Sequence, residues 1–129
     1  MIAHTGIAVK DYSKGKKFYQ AALKPLGYKL KHDYSKYKTA GFMQGGMSDF
    51  WISQDKNSRP GHVAFLAKSK KQVQEFHKAA LKAGGKDNGA PGFRLNYSPN
   101  YYAAFAFDPS NNNVEACYFG GKVAKSKKK

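Results

Sequence analysis

The sequence predicts an α+β domain assembled from two βαβββ modules. Three observations carry that prediction. Sliding the chain on itself by 58 positions aligns His4 with His62, Lys10 with Lys68, Phe18 with Phe76, Ala21-Ala22-Leu23-Lys24 with Ala79-Ala80-Leu81-Lys82, and Gly27 with Gly85. A unit of this length present only twice is a duplicated supersecondary module whose copies share one core. A helix cap, an apolar stripe and a helix stop recur at the same offset, and three strand-like stretches follow each helix.

Taken in order, Ile2 to Val9 is an apolar, β-branched run closed by Lys10-Asp11 and reads as a strand. The Asp11 carboxylate suits an N-cap, because it accepts from the free N–H groups of a first helical turn. Gly15, Phe18, Ala22 and Leu23 then share one face, and Pro25 and Gly27 end the helix. In the second copy Gly61 to Lys68 is the strand, Ser69 the N-cap, and Gln72 completes a capping box. Val73, Phe76, Ala80 and Leu81 form the stripe, and Gly84-Gly85 supplies the stop. The later strands are expected at Tyr28 to Tyr34, Tyr37 to Met43 and Asp49 to Ser53, then at Phe93 to Tyr97, Tyr101 to Phe107 and Asn113 to Phe119. Asp108 to Asn112 reads as the turn before the last of them. Residues 1–120 thus form one domain, with module one at about 1–56 and module two at about 61–120. Residues 121–129, with five lysines and no bulky apolar residue after Val123, read as a disordered basic tail.

Composition narrows the function classes. The chain has 129 residues, 41% hydrophobic and 15% aromatic, enough for one core. The lone Cys117 excludes internal disulfides and every Cys-x-x-Cys motif, which suits a reducing, cytoplasmic location. No apolar run approaches the roughly 18 residues of a membrane span, and no signal-peptide pattern opens the chain. The formal net charge is +15, yet 21 of the 23 basic residues are lysines. Only Arg59 and Arg94 offer the planar fork that specific nucleic-acid readers favour, and the lysines are spread along the chain. A solvated lysine surface is therefore the expectation, and nucleic acid is not an expected partner.

Three residues stand out chemically. Glu115 lies in the otherwise uncharged strand Asn113 to Phe119, where both faces are apolar. A carboxylate in such surroundings calls for a partner or a metal. His4 and His62 stand at repeat-equivalent strand starts beside small residues. Two histidines and one carboxylate are the parts of a two-His, one-carboxylate metal site with open positions for water or substrate. His32 and His77 lack a comparable context, and His77 is expected to be exposed.

The strand His4-Thr5-Gly6-Ile7-Ala8-Val9 and the helix ending Phe18 to Gly27 resemble the vicinal oxygen chelate superfamily. So do the restart Gly61-His62-Val63-Ala64-Phe65 and the ending Asp108-Pro109 through Asn113-Val114-Glu115. That group holds glyoxalases, bleomycin-resistance proteins, extradiol dioxygenases and fosfomycin-resistance thiol transferases. The chain is most similar to small glyoxalase-like proteins sharing stretches like Asp87-Asn88-Gly89-Ala90-Pro91-Gly92 and Pro99-Asn100-Tyr101-Tyr102-Ala103-Ala104-Phe105. The resemblance implies a cupped, mostly antiparallel sheet with helices outside and His4, His62 and Glu115 in three ligand places. Aligning Asp49-Phe50-Trp51-Ile52 with Asn113-Val114-Glu115-Ala116 puts Trp51, which binds no metal, in a fourth. Asn96 and Ser98 stand where the nearest relatives are expected to have histidines.

The implied function is a divalent-metal enzyme acting on a small oxygenated substrate, by lyase, isomerase, dioxygenase or thiol-transferase chemistry. Ligand identity does not choose among iron, manganese, nickel and zinc. Trp51, Arg94, Asn96 and Tyr101 are the candidate substrate-binding residues, with Phe50, Tyr97 and Tyr102 as further aromatic lining. The alternative is a non-catalytic protein that sequesters a small molecule. A homodimer is expected, since modules of this type often complete their cups against another copy.

Overall fold

The computed structural model describes residues 1–120, so the tail reading at 121–129 lies outside the described residues. The first module runs β1 (Thr5–Val9), α1 (Tyr12–Leu23), β2 (Lys29–Tyr34), β3 (Thr39–Gln44) and β4 (Met47–Gln54). The second runs β5 (His62–Leu66), α2 (Lys70–Lys82), β6 (Lys86–Phe93), β7 (Tyr101–Phe107) and β8 (Asn113–Phe119). Each module closes its own four-stranded sheet, ordered β1-β4-β3-β2 and β5-β8-β7-β6. The first strand of each pairs parallel to the last, and the other pairings are antiparallel. No helix of the described residues is long and apolar enough to cross a membrane.

Both helix starts follow the side-chain logic of the sequence. Asp11 accepts from Lys14 N at 2.9 Å and Ser69 Oγ from Gln72 N at 3.1 Å. The Gln72 side chain reaches back to Lys68 N, one residue before the cap. Phe18, Ala22 and Leu23 of α1 and Val73, Phe76 and Ala80 of α2 meet in a single core with Phe42, Phe50, Phe65 and Val114. Leu81 departs from the expected stripe and is 38% exposed, because it lies about 140° round the helix from Phe76.

Strand β6 differs most from the sequence reading, which placed a strand at Phe93 to Tyr97. The pairing runs over Lys86–Phe93 instead, and the chain turns at Arg94 to Asn100. Gly89, Pro91 and Gly92 would break a central strand. As the edge of its sheet, β6 tolerates them through register shifts between Asp87 and Gly92. His77 is also not exposed as expected: its side chain is 12% exposed and its Nε2 lies 2.8 Å from Asp87 Oδ1, joining α2 to β6. In the first module β3 begins at Thr39 rather than Tyr37, because Ser35–Tyr37 form a 3-10 turn ended by left-handed Lys38 (φ 52°).

The turn after β7 latches the modules together. Asp108 is 2% exposed and accepts from Tyr19 Oη at 2.6 Å, Asn112 Nδ2 at 2.8 Å, and the backbone N–H groups of Ser110 and Asn112. Asn112 Nδ2 also donates to Ala8 O, its Oδ1 accepts from Gly61 N, and Ser110 Oγ accepts from Lys10 N. One five-residue turn therefore holds α1, β1 and the segment entering β5. Burial and the Asp108 carboxylate push the Tyr19 hydroxyl well above its ordinary pKa, so it remains a donor.

A second tie joins α1 to β2. Asp33 accepts from Lys16 Nζ at 2.8 Å, Tyr12 Oη at 2.5 Å and Ser35 Oγ at 2.9 Å. These partners, Lys16 foremost, hold its carboxyl down at about 2. A folded-state pKa below the unfolded value stabilises at pH above 3.8, and the contribution is lost as pH falls through about 2. Carboxyl-carbon NMR is expected to give an Asp33 midpoint near 2 that rises toward 3.8 in Lys16→Gln; an ordinary midpoint in the parent protein would refute the tie.

Candidate metal centre

Register and alternation decide which side chains share a face. In the second sheet Phe105 lies opposite Glu115, Ala103 opposite Cys117 and Tyr101 opposite Phe119, while Ala64 of β5 stands beside Glu115. Tyr102, Ala104, Ala106, Val114 and Ala116 point the other way, into the core. Phe50 and Tyr102, expected to line a pocket, are core residues at 1% and 7% exposure for this reason.

On the face away from the core, Glu115 is the focus. It is 3% exposed, and His62 Nε2 approaches its Oε1 to 3.1 Å. The Tyr101 hydroxyl donates to Oε2. The His62 side chain is 52% exposed, so the carboxylate is held inside while the imidazole faces solvent. Burial first, and then Glu115, raise the Tyr101 hydroxyl well above its usual range, which keeps it a donor. Burial and the nearby Glu115 charge also push the Cys117 thiol up, so it is a protonated thiol near neutral pH.

The equivalent place in the first sheet is aromatic. Gly6 stands beside Trp51 as Ala64 stands beside Glu115, so β4 and β8 align as the sequence repeat proposes. The row continues through Gly41 to His32. Gly41 is required here: a Cβ would sit 2.7 Å from the indole ring, which lies flat over this position. The indole stacks on His32 with centroids 5.1 Å apart and planes 13° apart, and Tyr34 adds a third ring at 6.4 Å. Sequence reasoning left His32 without a role. Its alternation with Tyr34 along β2, opposite a glycine, was the signal that could have found it.

The structure thus brings together His62, Glu115 and Tyr101. His4 is exposed, one residue before β1 on the first sheet, and among the described residues no group of three His, Cys, Asp or Glu is placed to hold a metal ion. Arg94 donates to Gly92 O and Ala90 O and lies 5.3 Å over the Phe105 ring, which shares the Glu115 face. Tyr97 packs on Tyr101 at 5.2 Å, while Asn96 is exposed in the loop between β6 and β7.

Known proteins share this architecture. A glyoxalase/bleomycin resistance protein from Albidiferax ferrireducens T118 superposes with a TM-score of 0.75 at 28% identity, over 92% of this chain and 98% of that one. A lactoylglutathione lyase from Agrobacterium tumefaciens gives 0.69 at 17% identity over 92% of each chain. A glyoxalase/bleomycin resistance protein/dioxygenase family enzyme from Burkholderia phytofirmans PsJN gives 0.68 at 16%, over 92% of this chain and 98% of that one. No curated protein matches the chain in sequence. The family model that matches covers residues 1–116, and the chain belongs to the glyoxalase/bleomycin resistance protein/dioxygenase superfamily.

Proposed function

We propose that the protein is a divalent-metal-dependent enzyme acting on a small oxygenated substrate. His62 and Glu115 of one chain and His4 of a second copy are the protein ligands in this reading. The observation that carries it is the His62–Glu115 pair, a buried carboxylate beside a solvent-facing imidazole. The donor set fits: a nitrogen and an oxygen 3.1 Å apart match two neighbouring ligands each about 2.1 Å from one ion. Because each module closes its own sheet, the His4 end precedes edge strand β1 of one sheet, while His62 on edge strand β5 and Glu115 on the neighbouring β8 belong to the other. Ile2 (77% exposed) beside His4, and Leu66 (69%) and Phe119 (50%) on the strands bearing the pair, give a second copy apolar surface to cover.

A divalent ion here supplies Lewis acidity to substrate oxygens. Tyr101 orients Glu115 by donating to its outer oxygen, and its elevated pKa keeps that proton in place. Phe105 and Tyr101 exclude water from the carboxylate, while Arg94 at the rim offers positive charge to an anionic substrate group. Metal analysis of protein purified without chelator tests the reading. The parent chain is expected to carry about one ion, and His62→Ala and Glu115→Gln about a tenth of that or less. Equal, negligible metal in all three refutes it.

A second reading is favoured by the Trp51–His32–Tyr34 stack, which makes a flat wall suited to sequestering an aromatic molecule without turnover. Trp51 is the single tryptophan, so its fluorescence reports on the wall. Quenching by a flat aromatic ligand that is unchanged by chelator supports this reading; strict metal dependence returns the argument to the first.

A further inference from the structure

Lysines scattered along the sequence converge around the first two turns of α1. On one side, a cleft of about 510 Å³ is lined by Lys10, Lys16, Lys38 and Lys56 together with Ser13 and Ser35. On the other, a cleft of about 490 Å³ is lined by Lys14, Lys17 and Lys86. The helix is the shared wall, turning Lys14 and Lys17 to one cleft and Lys16 to the other. The neighbouring carboxylates are committed: Asp11 caps α1, Asp33 binds Lys16, Tyr12 and Ser35, Asp55 accepts from Asn57 N, and Asp108 is buried on Tyr19 and Asn112. Among the described residues Lys16 is the one of these seven lysines that forms an ion pair.

Six ammonium groups without an ion-pair partner among the described residues therefore gather around α1, with Lys10 and Lys14 at its first turn, where the helix dipole adds positive charge. Their mutual repulsion is relieved by an external polyanion.

We infer that this surface binds the phosphate backbone of single-stranded nucleic acid without regard to base sequence. Cations continuing across two adjoining clefts match a chain of phosphates rather than one phosphate group. Lysines, unlike arginine forks, give charge without base readout. Tyr37, 74% exposed between Ser35 and Lys38 and with Lys36 Nζ 5.8 Å from its ring, offers a base a stacking surface. A lipid surface would call for apolar side chains at the rim, and the exposed Ile2, Leu66, Leu95 and Phe119 line neither cleft.

Fluorescence anisotropy of the full chain with a labelled single-stranded DNA of about 20 nucleotides, from about 50 to 200 mM salt, tests this inference. The affinity is expected to fall at least about tenfold over that range. Lys10→Gln/Lys38→Gln/Lys56→Gln is expected to weaken binding about tenfold or more at the low-salt end and to reduce the slope of log affinity against log salt by about 2. The equally charged control Lys68→Gln/Lys71→Gln/Lys78→Gln alters exposed lysines outside both clefts and should retain most of the affinity. Thermal melts confirm that both variants fold. Equal losses in the two variants, absence of salt-sensitive binding, or tighter attachment to phosphatidylserine vesicles that the DNA does not displace would overturn the proposal.

Discussion

Replacing Asp108 with alanine is expected to cost about 3–5 kcal/mol, a large share of the roughly 5–15 kcal/mol that holds a domain of this size together. The carboxylate serves four donors from three residues: Tyr19 Oη, Asn112 Nδ2, and the N–H groups of Ser110 and Asn112. Alanine removes the acceptor of all four, leaving Asn112 Nδ2 with only its bond to Ala8 O, and each unsatisfied donor costs on the order of 1–3 kcal/mol before relaxation. The effect reaches across the modules, because Asn112 carries the bonds to Ala8 O and Gly61 N. Asp108→Asn keeps one acceptor oxygen and is expected to lose about 1–2 kcal/mol, as is Tyr19→Phe, which removes the Tyr19 donor to Oδ2 and leaves that of Asn112 Nδ2. Urea denaturation of the three variants orders them. A loss below about 1 kcal/mol for Asp108→Ala would show that the latch does not bind the modules.

Mixing two metal-deficient variants is expected to restore about a quarter of the metal bound by the parent protein, if a partner's His4 completes the proposed centre. In a randomly reassorted population of His4→Ala and Glu115→Ala chains, half of the dimers are mixed. Each mixed dimer holds one site with His62 and Glu115 from the first variant and an intact His4 from the second. The other site of that dimer lacks both. Were the ligands drawn from one chain, every chain would keep a defect and mixing would restore nothing. Metal content after co-refolding reads the difference directly. Glu115→Ala is not expected to unfold the protein, since a buried carboxylate is removed and its partners Tyr101 and His62 lie on the face away from the core.

The repeat made much of this fold legible. Cap, stripe and stop are written in contiguous residues, so Asp11, Ser69, Phe18, Phe76 and Gly27 could be assigned from spacing alone. The pairing of Trp51 with Glu115 as equivalent positions was also readable, and the registers of β1 with β4 and β5 with β8 agree with it. Strand β6 was not readable, because its glycines and proline are permitted only by its place at a sheet edge. The role of His32 was hidden for a related reason. It depends on Gly41 leaving space for an indole that arrives from a third strand.

The two-module plan, the helix boundaries and the chemical types available to a site follow from the order of residues, since these rest on local spacing and side-chain identity. Which of those residues meet is a matter of long-range folding. It placed Glu115 against His62 and Tyr101 while leaving His4 on the other sheet, because each module hydrogen-bonds into a sheet of its own. It turned the Asp108 to Asn112 turn from a connection into a latch, because buried polar groups must find partners wherever the chain brings them. And it gathered lysines distant in sequence around α1, since charge density belongs to a surface and not to a stretch of chain.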